Sequence, residues 1–237
     1  MTKQPNSYIL WEGLSPLDNK PLVLIATGFD SASVNNKTGD MIQTWILRQD
    51  VHPVEAYKGI EGYSNCGDCI HRIDGTCYVR WGQAPTSIWR AYRRGSYGLI
   101  PGWSLFADRM VRIGSAGDPC MVPSYIWEAI LEQAKGHTGY THQWREGFAQ
   151  WAKGMLQASC DTFKDYAEAI THGWKPFLVK TKNDVAPIGV IHCPSSEEMG
   201  RKTDCATCGL CDGKSAGIVI DGHGPSAKRI KPLMEIS

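Results

Sequence analysis

Long hydrophobic runs are missing from this chain. The longest unbroken apolar stretch is residues 22–26, whereas an α-helix that crosses a bilayer needs about 20 such residues, so no membrane-spanning helix is expected. The opening Met1-Thr2-Lys3-Gln4 has no basic stretch followed by an apolar one, so export is not expected either. An excess of one charge is also missing. The 25 Lys and Arg stand against 24 Asp and Glu, a net charge of +1, and no global field draws the protein onto phosphate backbones or acidic surfaces. Any nucleic-acid contact would have to be local. There is no internal repeat and no low-complexity tract. What is present is 237 residues with 42% apolar and 21% charged side chains, too apolar for disorder and long enough to bury one good core or two small ones. The expectation is a folded, soluble, cytoplasmic protein.

The nine cysteines are an odd number in a chain without an export signal, which argues against a disulfide framework. They are clumped: Cys66, Cys69 and Cys77 lie together, Cys193, Cys205, Cys208 and Cys211 form a second group, and Cys120 and Cys160 stand alone. Clumping points to metal. In the C-terminal group, three thiolates at two-residue spacing can surround an iron–sulfur cluster, with Cys193-Pro194 as a remote fourth ligand. The same four satisfy tetrahedral zinc, although zinc sites usually pair two separate Cys-x2-Cys knuckles. Either metal would staple a loop-rich tail. In the N-terminal group, three thiolates with no evident fourth suggest a cluster with one open iron, or zinc completed by His71.

From residue 110 onward, short apolar runs alternate with helix-period segments. Residues 110–115 read as a strand. Pro123-Ser124 then opens a helix with Ile126, Trp127, Ile130, Leu131 and Ala134 on one face, stopped by Gly136. A short strand over 137–141 precedes Trp144, Phe148, Trp151, Ala152 and Met155 at helical spacing, and 156–160 is the next strand. Thr162 with Asp165 makes a capping box for a helix closed by Gly173. Residues 177–179, 188–191 and 216–220 supply further strands. Before residue 110, 22–25 reads as a buried strand and 86–94 as a helix. This rhythm predicts an α/β fold with parallel strands, a β/α barrel or part of one. Residues 1–192 would form the barrel-like domain, including a cysteine-rich loop at 60–80, and 193–237 a C-terminal metal-binding segment.

The order of motifs resembles the radical S-adenosylmethionine enzymes. A cysteine-rich loop ending in Cys77-Tyr78 is followed by a helix and by a strand that runs into Ala116-Gly117-Asp118-Pro119, where that family has Gly-Gly-Glu-Pro. Ala158-Ser159-Cys160-Asp161 is similar to the family's strand end that meets the ribose. The resemblance implies a 4Fe–4S cluster on Cys66, Cys69 and Cys77, with S-adenosylmethionine contacted by Gly117, Asp118, Ser159 and Asp161. It further implies an auxiliary cluster on Cys193, Cys205, Cys208 and Cys211. The cysteine spacing here is x2 then x7, whereas the family's is x3 then x2. A closer likeness is to an uncharacterised set of phage proteins, the gene-product-eighty-eight-like group. It is carried by Asn36-Lys37-Thr38-Gly39, Cys66-Gly67-Asp68-Cys69, Cys77-Tyr78, Gly139-Tyr140-Thr141 and Cys208-Gly209-Leu210-Cys211, and it implies a phage-encoded protein of the host cytoplasm.

Several residues have plain structural readings beside these. Asp118 suits a turn before Pro119, Asp161 a helix N-cap, and His137 and His142 ordinary partly buried positions. Arg90, Arg93 and Arg94, interleaved with Trp89, Tyr92 and Tyr97, could stack on bases or simply solvate a helix that buries its aromatics. The alternative to an enzyme is a zinc- or iron–sulfur-stabilised protein that binds a host or phage macromolecule.

Overall fold

The structure is a computed structural model and describes residues 5–31, 36–224 and 226–233; residues 225 and 234–237 of the C-terminal segment lie outside them. Among the described residues, one mixed sheet holds β1 (Ser7–Leu14), β2 (Pro21–Thr27), β3 (Ile42–Arg48), β4 (Met110–Ala116), β5 (Gly136–Thr141), β6 (Gln157–Cys160), β7 (Pro176–Lys180), β8 (Ile191–His192) and β9 (Ile218–Asp221). Their order is β1-β2-β3-β4-β5-β6-β7-β9-β8. The first three strands pair antiparallel, and every later pairing is parallel. The helices are α1 (Pro53–Lys58), α2 (Tyr63–Cys66), α3 (Ile70–Ile73), α4 (Ala84–Arg93), α5 (Ser124–Gln133), α6 (Phe163–Thr171) and α7 (Cys205–Cys208). This is a mixed α/β fold with a nine-stranded, largely parallel sheet, and among the described residues no helix is long and apolar enough to cross a membrane.

The apolar run at 22–26 becomes β2, which is buried on both faces. Leu22, Leu24 and Ala26 enter the main core, while Val23 and Ile25 enter a second core with Trp81 and Ile88. A continuous apolar strand is what two covered faces require. Helix α4 lies on that second face, where Trp89 Nε1 donates to the Arg48 carbonyl at 2.9 Å and Arg93 Nη1 to the Gln49 carbonyl at 2.9 Å. Its aromatics thus anchor it to β3. Helix α6 starts at Thr162, whose Oγ1 accepts from the Asp165 N–H at 2.9 Å, and α5 buries Trp127 completely, with its Nε1 donating to the Pro119 carbonyl.

Two expected elements differ. The helix-period segment at 144–155 forms a 3-10 run, Gly147–Ala152. Glu146 is extended just before it, and Gly154 takes φ +82° just after, so no α-helical turn continues on either side. Its apolar residues still reach the main core. The strand expected at 188–191 shrinks to β8, because Gly189 adopts φ +83° and the Ile188 side chain is fully exposed. Strand β3 was hidden by its polar residues. Gln43 and Thr44 are buried, but Gln43 Oε1 accepts from Ser115 Oγ, and Thr44 Oγ1 donates to the Arg112 carbonyl and accepts from the Gly114 N–H.

Pleating divides the parallel strands into two faces. Val111, Ile113, Ala158, Cys160, Leu178 and Val219 pack with Ile126, Trp127 and Ile130 of α5 in the main core, which also takes the isolated Cys120. The alternate residues Arg112, Gly114 and Ala116 of β4, Thr138 and Tyr140 of β5, Ser159 of β6, Phe177 and Val179 of β7, and Ile218 and Ile220 of β9 face a cavity. The C-terminal cysteine segment is fixed against the same sheet. Strand β5 pairs with β4 up to Gly139 and with β6 from Tyr140. Where it changes neighbours, the Gly139 N–H donates to the Cys211 carbonyl at 3.0 Å. Beyond it Gly213, at φ +77°, lies so close to β6 that a Cβ would sit 2.6 Å from the Leu156 nitrogen.

Gly213→Ala should therefore destabilise the protein beyond the roughly 1–3 kcal/mol that a left-handed φ costs a non-glycine residue. Gly173→Ala, at φ +76° with nothing within 4 Å, should show the conformational cost alone. Urea unfolding of the two variants beside the wild type measures the difference, and equal losses would contradict the docking of this segment on β6.

Candidate metal centre

The cavity has a volume of about 1370 Å³ and is lined by both cysteine groups and by residues at the carboxyl ends of the parallel strands. That is the end of such sheets where ligands bind. The loop from β3 to β4 brings the first group there. Asn65, in α2, accepts the Asp118 N–H on its carbonyl at 2.7 Å and donates from Nδ2 to the Ile46 carbonyl at 3.1 Å, which ties the loop to the ends of both strands. The seven residues between Cys69 and Cys77 make one helical turn, α3, and double back. The N–H groups of Thr76 and Cys77 both donate to the His71 carbonyl at 2.9 Å, so the long spacing still returns Cys77 toward Cys69.

None of the nine cysteines is paired in a disulfide. Burial, with the neighbouring charges of Cys69 and Cys77, pushes the Cys66 thiol well above its usual range. Burial pushes Cys77 up to about 11. Cys69 moves the other way: its burial is outweighed by the charge and hydrogen bond of His142 and by the charge of His71, which favour the thiolate.

Beside Cys69 lies a constellation that the sequence scatters over 90 positions. His142 follows β5 directly, Asp161 follows β6 directly, and His71 comes from α3. The His71 Nε2 is 2.9 Å from Asp161 Oδ1, and the His142 Nε2 is 3.2 Å from Asp161 Oδ2. One ligand atom from each residue falls within 4.8 Å of the other two, a set able to hold a metal ion. Cys69 Sγ approaches His142 Nε2 at 3.9 Å but lies outside that set. Burial disfavours the His142 imidazolium, yet Cys69 and Asp161 outweigh it and hold its pKa well above the usual value. Asp161, though buried, is held far below the usual carboxylate range by His142 and then His71. Asp161 does not cap α6; Thr162 does.

The second cysteine group faces the same cavity. Burial is the main cause that raises Cys193 and pushes Cys211 up to about 12, and in both cases the other C-terminal cysteines add to it. Next to them is Arg112, buried with its guanidinium 5.9 Å from the Tyr78 ring and 6.0 Å from the Tyr140 ring. Its Nη2 donates to Tyr78 Oη at 2.6 Å. Burial works against its charge, and Tyr78, then Tyr140 and Cys205, favour it. A buried cation needs a counter-charge. Deprotonated, metal-bound cysteines on this side would supply it.

The remaining expected site residues divide. Gly117 is a close-approach position, because a Cβ there would sit 2.4 Å from the Ile46 carbonyl oxygen. Asp118 is buried. Its Oδ1 accepts from the Cys120 N–H and the Thr141 hydroxyl, and its Oδ2 from the His142 N–H, while burial raises its pKa. Ser159 faces the cavity, and its carbonyl accepts from Trp144 Nε1. No three cysteine sulfurs fall within 4.8 Å of one another among the described residues. No protein-family description, curated protein or solved structure matches the chain.

In metal-free protein the His142–Asp161 pair has a pH signature. A depressed carboxylate stabilises above its unfolded value near 3.8, and a raised imidazole stabilises below its unfolded value near 6.5. The pair's contribution is complete between these values. It is lost as pH falls through the lowered Asp161 value or rises through the raised His142 value. Asp161→Asn, compared with wild type by urea unfolding in chelator from about pH 5 to about pH 10, should lose most stability near pH 6 and progressively less at alkaline pH. A pH-independent difference would contradict the ion pair.

Proposed function

We propose that this chain is an iron–sulfur protein of the radical S-adenosylmethionine kind, its parallel strands β3 to β7 and β9 forming a partial β/α barrel. One observation carries the reading. The three-cysteine loop and the Gly117-Asp118 strand end, far apart in sequence, meet at the carboxyl ends of adjacent parallel strands on a cavity that also takes the second cysteine group. In this reading Cys66, Cys69 and Cys77 hold a 4Fe–4S cluster, and Cys193, Cys205, Cys208 and Cys211 hold an auxiliary one. The cluster, when bound, supplies the single electron that a sulfonium cofactor needs for reductive cleavage.

The protein's own residues do the rest. Asp118 is held by donors within the fold, and its carboxylate would hold the ammonium of the cofactor's methionine. Gly117 keeps that strand end against β3. Ser159, on the cavity face of β6, would meet the cofactor's ribose. Phe177, Val179, Ile218 and Ile220 give the cavity an apolar floor. A volume of about 1370 Å³ exceeds the ~300–1,000 Å³ of a single small-molecule site and leaves room for a substrate beside a nucleoside cofactor.

Iron and sulfide analysis of anaerobically purified protein tests this. Roughly eight irons and as many sulfides per chain are expected, falling by half in the Cys66→Ala, Cys69→Ala, Cys77→Ala triple variant. Zinc without sulfide would instead assign the cysteines to a scaffold that binds a macromolecule. Arg112→Gln gives an independent prediction. A buried positive charge beside Cys205 favours the more negative, reduced cluster, so its removal should lower that cluster's reduction potential in an EPR-monitored redox titration. An unchanged or raised potential would contradict the placement.

A further inference from the structure

Beyond the iron–sulfur reading, and independent of it, the His71, His142 and Asp161 constellation carries an assignment of its own. Two imidazoles approach one carboxylate, each through Nε2 and each to a different oxygen. The His71 contact is poor as plain ion pairing. Asp161 Oδ1 is buried and finds no hydrogen-bond partner, although His71 Nε2 is only 2.9 Å away. The nitrogen and the oxygen are close without being aimed at each other. Leaving a buried acceptor unsatisfied costs about 1–3 kcal/mol, more for a charged group. Ligand atoms that converge on a common point rather than on one another are what a bound cation requires.

The surroundings agree. His71 Nδ1 is 2.8 Å from Thr76 Oγ1, a contact that fixes the ring with Nε2 toward Asp161, as outer-shell partners of metal-ligating histidines do. The His142 N–H donates to Asp118 Oδ2 and the Asp161 N–H to Asp165 Oδ2, so both ligand backbones are pinned. The three residues come from three separate segments and meet at the carboxyl ends of β5 and β6. Closed structural sites take four protein ligands, whereas three leave a position for water or substrate.

We propose that His71, His142 and Asp161 form a mononuclear site for a divalent first-row metal ion of the zinc or ferrous class, with no cysteine among its ligands although Cys69 Sγ lies 3.9 Å from His142 Nε2, and with a coordination position open to the cavity. Two imidazoles and a carboxylate suit these ions rather than calcium or magnesium, which prefer oxygen. The open position would take an oxygen or nitrogen donor of the substrate, and the ion would act as a Lewis acid upon it.

Zinc is the probe. Wild-type protein is loaded with one equivalent of zinc sulfate after chelator treatment, and X-ray absorption at the zinc edge reports its neighbours whatever iron is present. The expected result is one zinc with nitrogen and oxygen neighbours near ~2.0–2.1 Å. Asp161→Asn and His71→Gln, checked for folding by circular dichroism, should each weaken binding by more than the roughly 10–100-fold that loss of an outer-shell partner costs. Zinc bound through sulfur alone, no zinc bound by folded wild type, or nitrogen- and oxygen-bound zinc retained in both variants would overturn the proposal. Because iron and sulfide are counted separately, failure here is distinguishable from failure of the iron–sulfur reading.

Discussion

Strand pleating decides which side chains of this protein can act together. Successive residues of a strand point to opposite faces, and in the parallel strands one set goes to the helix-covered core while the other goes to the cavity. Cys160 illustrates the constraint: it sits one residue from Asp161, yet it is sealed in the main core while Asp161 lines the cavity. A one-residue slip of β6 would exchange them. The register of β4, β5 and β6 therefore underlies the position of Arg112, of His142 and of Asp161, and with them every reading of the site.

The cavity's electrostatics follow from what that register buries. Arg112 lies between two regions rich in thiols. On one side Tyr78, the residue after Cys77, accepts its hydrogen bond; on the other Cys205 favours its charge. A buried guanidinium is costly unless an anion balances it, and deprotonated cysteines would do so. The loop cysteines respond differently among themselves. Cys66 and Cys77 are pushed toward the thiol by burial, whereas Cys69 is drawn toward the thiolate by two histidines. Cys69 thus stands at the junction between the cysteine loop and the histidine–aspartate constellation.

Much of the fold was legible in the sequence because local pattern and tertiary role agree there. The apolar run of β2, the Thr162 cap of α6 and the apolar stripe of α5 all appear where periodicity puts them. The failures have physical causes. Strand β3 carries Gln43 and Thr44 inward, satisfied by partners on β4 that no local pattern reveals. The segment at 144–155 keeps helical spacing of its apolar residues, but Gly154 and an extended Glu146 hold it to 3-10 turns. The cysteine groups were visible as clumps. The constellation of His71, His142 and Asp161 was not, because it is assembled by the lateral order of strands. The usable signal was positional: His142 and Asp161 are each the first residue after a strand of the parallel series.

The central claim is that both cysteine groups bind iron–sulfur clusters on one cavity, on either side of Arg112. Diffraction data collected from a crystal of the anaerobically purified protein on both sides of the iron absorption edge test it most directly. Two separate iron peaks are expected, one against Cys66, Cys69 and Cys77 and one against Cys193, Cys205, Cys208 and Cys211. Iron at neither group, with zinc or free thiols in its place, would contradict it.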